Sequence, residues 1–192
     1  MPMVEFDQWL FLLLNGIHHP VYDDLMAAIS DRWIWIPLYA YLAYLLFREY
    51  GKRAFYIVLG VALLIALTDQ LSVHLFKNTF QRLRPCHDED IRSLVHLVGN
   101  HCGGKYGFIS SHAANAFAMA TFIGCFLSIR NNFWLYALLL WAGLVSYSRI
   151  YLGVHYPLDI ICGALFGMLT AVLIRTLLKW VDRRFSLHLM NK

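Results

Sequence analysis

Long stretches without charge dominate this chain and set the limits of what it can fold into. A helix crossing the hydrocarbon core of a bilayer needs roughly 20 mostly apolar residues. Runs free of Lys, Arg and Glu occupy 33–47, 54–76, 106–129, 131–148 and 160–174, and Asp69 is the single acid among them. Of the 192 residues, 59% are hydrophobic and 15% charged, where an average soluble domain has about a quarter charged. Too little polar surface remains to coat such a chain in water. The pattern predicts an all-α fold: an integral membrane helical bundle of about five transmembrane helices. We read 1–192 as a single domain, with a transmembrane core at 33–178 and an outer loop at 77–106. Disorder, a disulfide-dense mini-protein and nucleic-acid binding are excluded, and the net charge of +4 reads as membrane orientation.

The first 30 residues differ. A short apolar run at 9–14 is followed by Asn15, Gly16, two histidines and Pro20, with Glu5, Asp7, Asp23 and Asp24 around it. This predicts one or two amphipathic helices at the membrane interface over 4–30, with a sixth spanning helix as the lesser alternative. Acids in place of Lys or Arg before the apolar run argue against a secretory signal.

Five crossings sort the basic residues onto two sides. Arg48, Lys52, Arg53, Arg130, Arg175, Lys179, Arg183, Arg184 and Lys192 fall on one; Arg32, Lys77, Arg82, Arg84, Arg92, Lys105 and Arg149 fall on the other. The first group is the larger and reads as cytoplasmic. Every unusual polar residue then collects on the outer face: Lys77, Arg82 and Arg84 after the second span, Ser110, Ser111 and His112 at the start of the third, and Ser148, Arg149, His155 and Asp159 around the last turn. Singly, a Lys or Arg at a helix end snorkels to the headgroups. Together, these groups suit phosphoryl transfer, in which fixed cations stabilise charge spread over three equatorial oxygens. His155 and Asp159 are four apart, so on a helix they share one face. The carboxylate then fixes the imidazole tautomer and frees the other nitrogen to attack, and His112 can protonate the leaving oxygen.

Three stretches carry a specific resemblance. KNTFQRLRP from Lys77 to Pro85, ISSH from Ile109 to His112, and SRIYLGVHYPLD from Ser148 to Asp159 resemble the three motifs of the type 2 phosphatidic acid phosphatase superfamily, in order and spacing, over 53–175. Ile109 and Ser111 depart from the proline and glycine usual in the second motif. The resemblance implies His155 as nucleophile forming a phosphohistidine, Asp159 orienting it, and His112 as general acid and then base. It implies Lys77, Arg84, Arg149, Ser110 and Ser111 around the phosphate, and no cofactor or metal.

The expected function is hydrolysis of a lipid phosphate or pyrophosphate at the periplasmic face of a bacterial inner membrane. Among the substrates that the resemblance allows, undecaprenyl pyrophosphate ranks first, then phosphatidylglycerophosphate, phosphatidate and lipid A phosphate. A lipid phosphotransferase would share the intermediate. A transporter would need paired polar residues through the midplane, where Asp69 stands alone.

Other residues carry blander expectations. Asp69 reads as a buried structural hydrogen bond, Arg82 as solvated, and Asp88, Glu89 and Asp90 as a solvated turn. The glycine-rich run at 103–107 lacks the spacing of a nucleotide-binding loop and reads as a flexible approach of backbone to phosphate. Cys86 and Cys102 bracket the outer loop and predict a disulfide. A zinc site with the neighbouring His87 and His101 ranks lower, because adjacent residues rarely point at one metal. Cys125 and Cys162 read as packing residues.

Overall fold

The computed structural model describes residues 3–128 and 131–185, and among these it contains helices and no strand. The helices are α1 (Met3–Asn15), α2 (Pro20–Ser30), α3 (Ile36–Tyr50), α4 (Ala54–Leu71), α5 (Ser111–Leu127), α6 (Phe133–Tyr151) and α7 (Pro157–Phe185). Arg130 and Lys192, which entered the charge count, lie outside the described residues.

Local chemistry sets the helix ends. Pro20 opens α2 with its fixed φ, and the His19 ring accepts the Val21 N–H at 3.2 Å. Gly51, at a φ of 57°, breaks an apolar helical stretch running from Arg32 to Phe80 into α3 and α4. Beyond Leu71, α4 widens into a π-helical turn, Ser72–Lys77, a device frequent at functional sites. The charge-free run at 106–129 begins before its helix. Residues 106–110 belong to the outer loop, where Leu83 bridges Tyr106, and Ser110 caps α5. At the other end α7 outruns its charge-free segment to reach Phe185, with Arg183 and Arg184 in its last turn, where cations complement the helix dipole.

The core lies between α3, α4, α5, α6 and α7, where Leu42, Ile57, Leu64, Phe122, Leu138 and Ala171 are buried. Large apolar side chains such as Phe55, Leu140 and Leu173 point outward, as expected of a bundle whose solvent is lipid. Two glycines set the approach of α5 to α7. A Cβ at Gly163 would stand 2.7 Å from the Ser110 carbonyl, and one at Gly167 2.1 Å from that of Ala114. Small residues four apart let membrane helices touch backbone to backbone. The start of α5, which carries His112, is thereby held against the start of α7, which carries Asp159.

The N-terminal helices are amphipathic, as the sequence predicts. On α1, Asp7, Phe11 and Asn15 recur every four residues and are buried, while Phe6, Trp9 and Leu13 are exposed. Asn15 ties three parts of the chain together: its amide donates to the carbonyls of His96, Ile150 and Tyr151, and its oxygen accepts the His96 N–H at 2.8 Å. The outer loop is held to the mouth of the bundle by these bonds. Within it, Cys86 and Cys102 stand at disulfide distance, Cα to Cα 6.0 Å.

Candidate active site

His155 sits in the short turn between α6 and α7, and its burial is nearly complete. Its Nδ1 lies 3.4 Å from Oδ2 of Asp159, which is fully buried in the first turn of α7. The same carboxylate oxygen accepts the Tyr156 N–H at 3.0 Å, so it caps the helix as well as facing the imidazole. Burial, and then the charges of Arg84, Arg149 and Lys77, hold the His155 imidazole well below its ordinary pKa, while the Gly107 backbone pulls the other way. The ring is therefore neutral at neutral pH, the form a nucleophile needs.

The cations converge from three elements. Lys77, at the end of the π-turn, donates to the Ser111 hydroxyl at 2.8 Å, and Ser72 shares that hydroxyl at 2.7 Å. Arg84 is fixed by the carbonyls of Tyr106 and Cys102 at 3.4 and 3.3 Å. Arg149, in the last turn of α6, donates to the Ser30 hydroxyl at the end of α2. Lys77, Arg84, Ser111, His112, Arg149 and His155 all line one cavity of about 690 Å³. The His112 ring opens into it. Ser110 does not line it: its buried hydroxyl accepts the Ala113 N–H at 3.4 Å, serving the α5 cap. The Cβ that Ser111 adds where a glycine is usual carries a hydroxyl that anchors Lys77.

The glycine-rich run lies against the site. A Cβ at Gly107 would meet Asp159 Oδ2 at 3.1 Å and the Arg84 Cγ at 3.2 Å. Its second glycine-to-cation contact is at Gly103, where a Cβ would stand 3.4 Å from an Arg84 nitrogen. The run therefore packs behind the clamp.

Three expectations are corrected. Arg82 is not solvated: Nη1 donates to Asp159 Oδ1 at 3.0 Å, Nη2 to Asp7 Oδ2 at 2.7 Å, and its guanidinium lies 4.1 Å above the Tyr156 ring. Asp7 also accepts the Leu158 N–H at 2.9 Å, so α1 reaches the Asp159 carboxylate through one arginine. Burial pushes the Asp7 carboxyl up, against the pull of Arg82. Asp88 is likewise engaged, accepting the Tyr156 hydroxyl at 2.7 Å and the Gln8 amide at 3.1 Å, whereas Glu89 and Asp90 are exposed as expected. Asp69 makes no structural side-chain hydrogen bond among the described residues and lines the cavity instead.

A buried imidazole paired with a carboxylate, facing three cations and a second imidazole across a cavity inside an apolar bundle, defines a membrane phosphatase site. The PAP2 superfamily model matches residues 53–183, and the chain belongs to that superfamily. It is 41% identical over 172 residues to the lipid A 4'-phosphatase of Bacteroides thetaiotaomicron, covering 86% of this chain and 75% of that protein. It is 30% identical to the undecaprenyl-diphosphatase of Sulfolobus acidocaldarius, covering 85% and 74%. The crystal structure of Aquifex aeolicus LpxE aligns with a TM-score of 0.61 at 28% identity, covering 87% of this chain and 93% of that one. The protein is a bacterial membrane lipid phosphatase of the PAP2 type.

Proposed function

We propose that the enzyme removes the 4'-phosphate of lipid A at the periplasmic face of the bacterial inner membrane, through a phosphohistidine on His155. One observation carries the reading: nucleophile, acid and clamp line a single cavity whose deeper walls, including Tyr39, Val61, Met119 and Val145, suit a lipid chain. Asp159 faces Nδ1 of His155 and leaves Nε2 to attack phosphorus. The N–P bond forms as the P–O bond to the lipid breaks, His112 gives its proton to the departing oxygen, and Lys77, Arg84 and Arg149 bind the three equatorial oxygens. Water then attacks phosphorus, loses its proton to His112, and releases inorganic phosphate and free His155.

The lipid A assignment draws on the relative at 41% identity. Undecaprenyl pyrophosphate, first in rank from sequence, keeps the support of the relative at 30% and becomes the second reading. The test is phosphate release from lipid A and from undecaprenyl pyrophosphate by purified protein with chelator present. We expect lipid A to be the better substrate and His155→Ala to abolish release. Faster release from undecaprenyl pyrophosphate would reverse the two readings.

A further inference from the structure

We propose that the cavity holds two polar acceptors inward of the phosphate clamp, Asn115 nearer and Asp69 deeper, that select lipids offering hydroxyl or amide N–H donors on the chain inward of the leaving oxygen. The proposal rests on the phosphate site around His155 and names the class of lipid that site accepts.

Position comes first. Asn115 follows His112 by three residues on α5, and both line the cavity; at 1.5 Å per residue it sits about 4.5 Å deeper than the acid. Asp69 precedes Lys77 by eight residues on the opposite wall and lies about 12 Å deeper than the clamp. The walls around them are apolar, with Ile65, Val73 and Met119 alongside. A leaving group attached at His112 must therefore pass Asn115 and then Asp69.

Chemistry comes second. The Asn115 Oδ1 is buried without a hydrogen-bond partner. The Asp69 backbone carbonyl accepts from the Ser72 hydroxyl at 2.8 Å, and its carboxylate makes no hydrogen bond among the described residues while its charge acts on Lys77. Asn115 Oδ1 is thus a buried acceptor left unpaired, which is costly, and the half-buried Asp69 carboxylate is a second acceptor on the facing wall. A hydrocarbon chain filling the cavity strips them of water and returns nothing. A chain with a hydroxyl or amide N–H at that depth pairs with them, and a site built around such a bond rejects analogues that lack it. A diphosphate is disfavoured further, because its second phosphate is carried inward toward the Asp69 carboxylate.

The test compares four lipids that present phosphate with different neighbours: ceramide 1-phosphate, with an amide N–H and a hydroxyl; phosphatidate, with ester carbonyls only; undecaprenyl phosphate, all hydrocarbon; and lipid A. The readout is the ratio of kcat/KM values within one protein variant, which cancels any loss common to all substrates. The wild-type enzyme is expected to favour ceramide 1-phosphate over phosphatidate and undecaprenyl phosphate by about tenfold or more. Asn115→Leu and Asp69→Leu should each bring that ratio toward one, and Asp69→Asn should keep it while raising turnover of undecaprenyl pyrophosphate. A wild-type ratio near one, or a ratio unchanged in both leucine variants, overturns selection by the two acceptors. Inert lipid A with the expected ceramide preference overturns the lipid A assignment and leaves that selection standing. Hydrolysis of lipid A with a flat ratio does the reverse, and no hydrolysis of any lipid overturns both.

Discussion

Arg82 spends both arms of its guanidinium on carboxylates from distant parts of the chain, Asp7 and Asp159. Removing one member of a buried charge network leaves the others uncompensated, at a cost of about 3–5 kcal/mol, and one partner left behind here is the Asp159 carboxylate, which in the proposed mechanism orients His155. Arg82→Gln should therefore lower kcat by about 10- to 100-fold with little change in KM, since orienting partners of reactive groups are worth about that much. Arg82→Lys should recover part of the loss. Steady-state kinetics on a soluble phosphate monoester check this, and an Arg82→Gln enzyme with wild-type kcat would remove the arginine from the catalytic assembly. His155 makes a second claim at this scale. Burial and the neighbouring cations hold its pKa well below the ordinary 6.5, so the proposed nucleophile stays neutral as pH falls through 6.5 and kcat should show no loss there attributable to it. The unfolded chain takes up that proton first. The contribution to stability is complete above about pH 6.5 and declines as pH falls below it, which denaturation in detergent at a series of pH values will read.

The charge-free runs locate the helices because apolar length is a local property. Lys77, Arg84, Ser111, His112, Arg149 and His155, singled out from the three motifs, meet at one cavity, and they are legible because each motif is carried within a dozen residues of chain. The Arg82 network was illegible for the opposite reason: its partners are 75 and 77 residues away, and a lone Arg in a loop looks solvated until α1 is folded onto it. Asp69 was visible as an intramembrane acid, yet only the cavity distinguishes a lining residue from a structural hydrogen bond.

Among the elements, the contact between α5 and α7 bears most on the site. Ser110 donates its backbone N–H to the Asp159 carbonyl at 3.0 Å, a bond that exists only because Gly163 and Gly167 admit α5 so closely. Gly167→Ala places a methyl group 2.1 Å from the Ala114 carbonyl and must push the two helices apart. Overpacking of this kind costs about 1–3 kcal/mol, so Tm should fall and kcat with it. Gly143→Ala, where nothing lies within 4 Å, is the control that should leave Tm in place. Equal Tm values for the two variants would mean that the close crossing contributes little.

The whole molecule divides its labour among bundle, loop and helix ends. A lipid-facing bundle supplies a cavity of about 690 Å³; the end of α2 adds Ser30 and the outer loop Arg84 to its lining; and the candidate chemistry is placed where helix ends meet. A covalent phosphohistidine is the central claim built on that arrangement. Its most direct test uses His112→Ala with p-nitrophenyl phosphate, whose leaving group departs without an acid, so that the first step proceeds while the activation of water is lost. The account predicts that phosphate accumulates on the protein as a base-stable, acid-labile adduct, mapped by mass spectrometry to His155 and absent from His155→Ala. Phosphate release at an undiminished rate from His155→Ala, with no adduct on either protein, would contradict it.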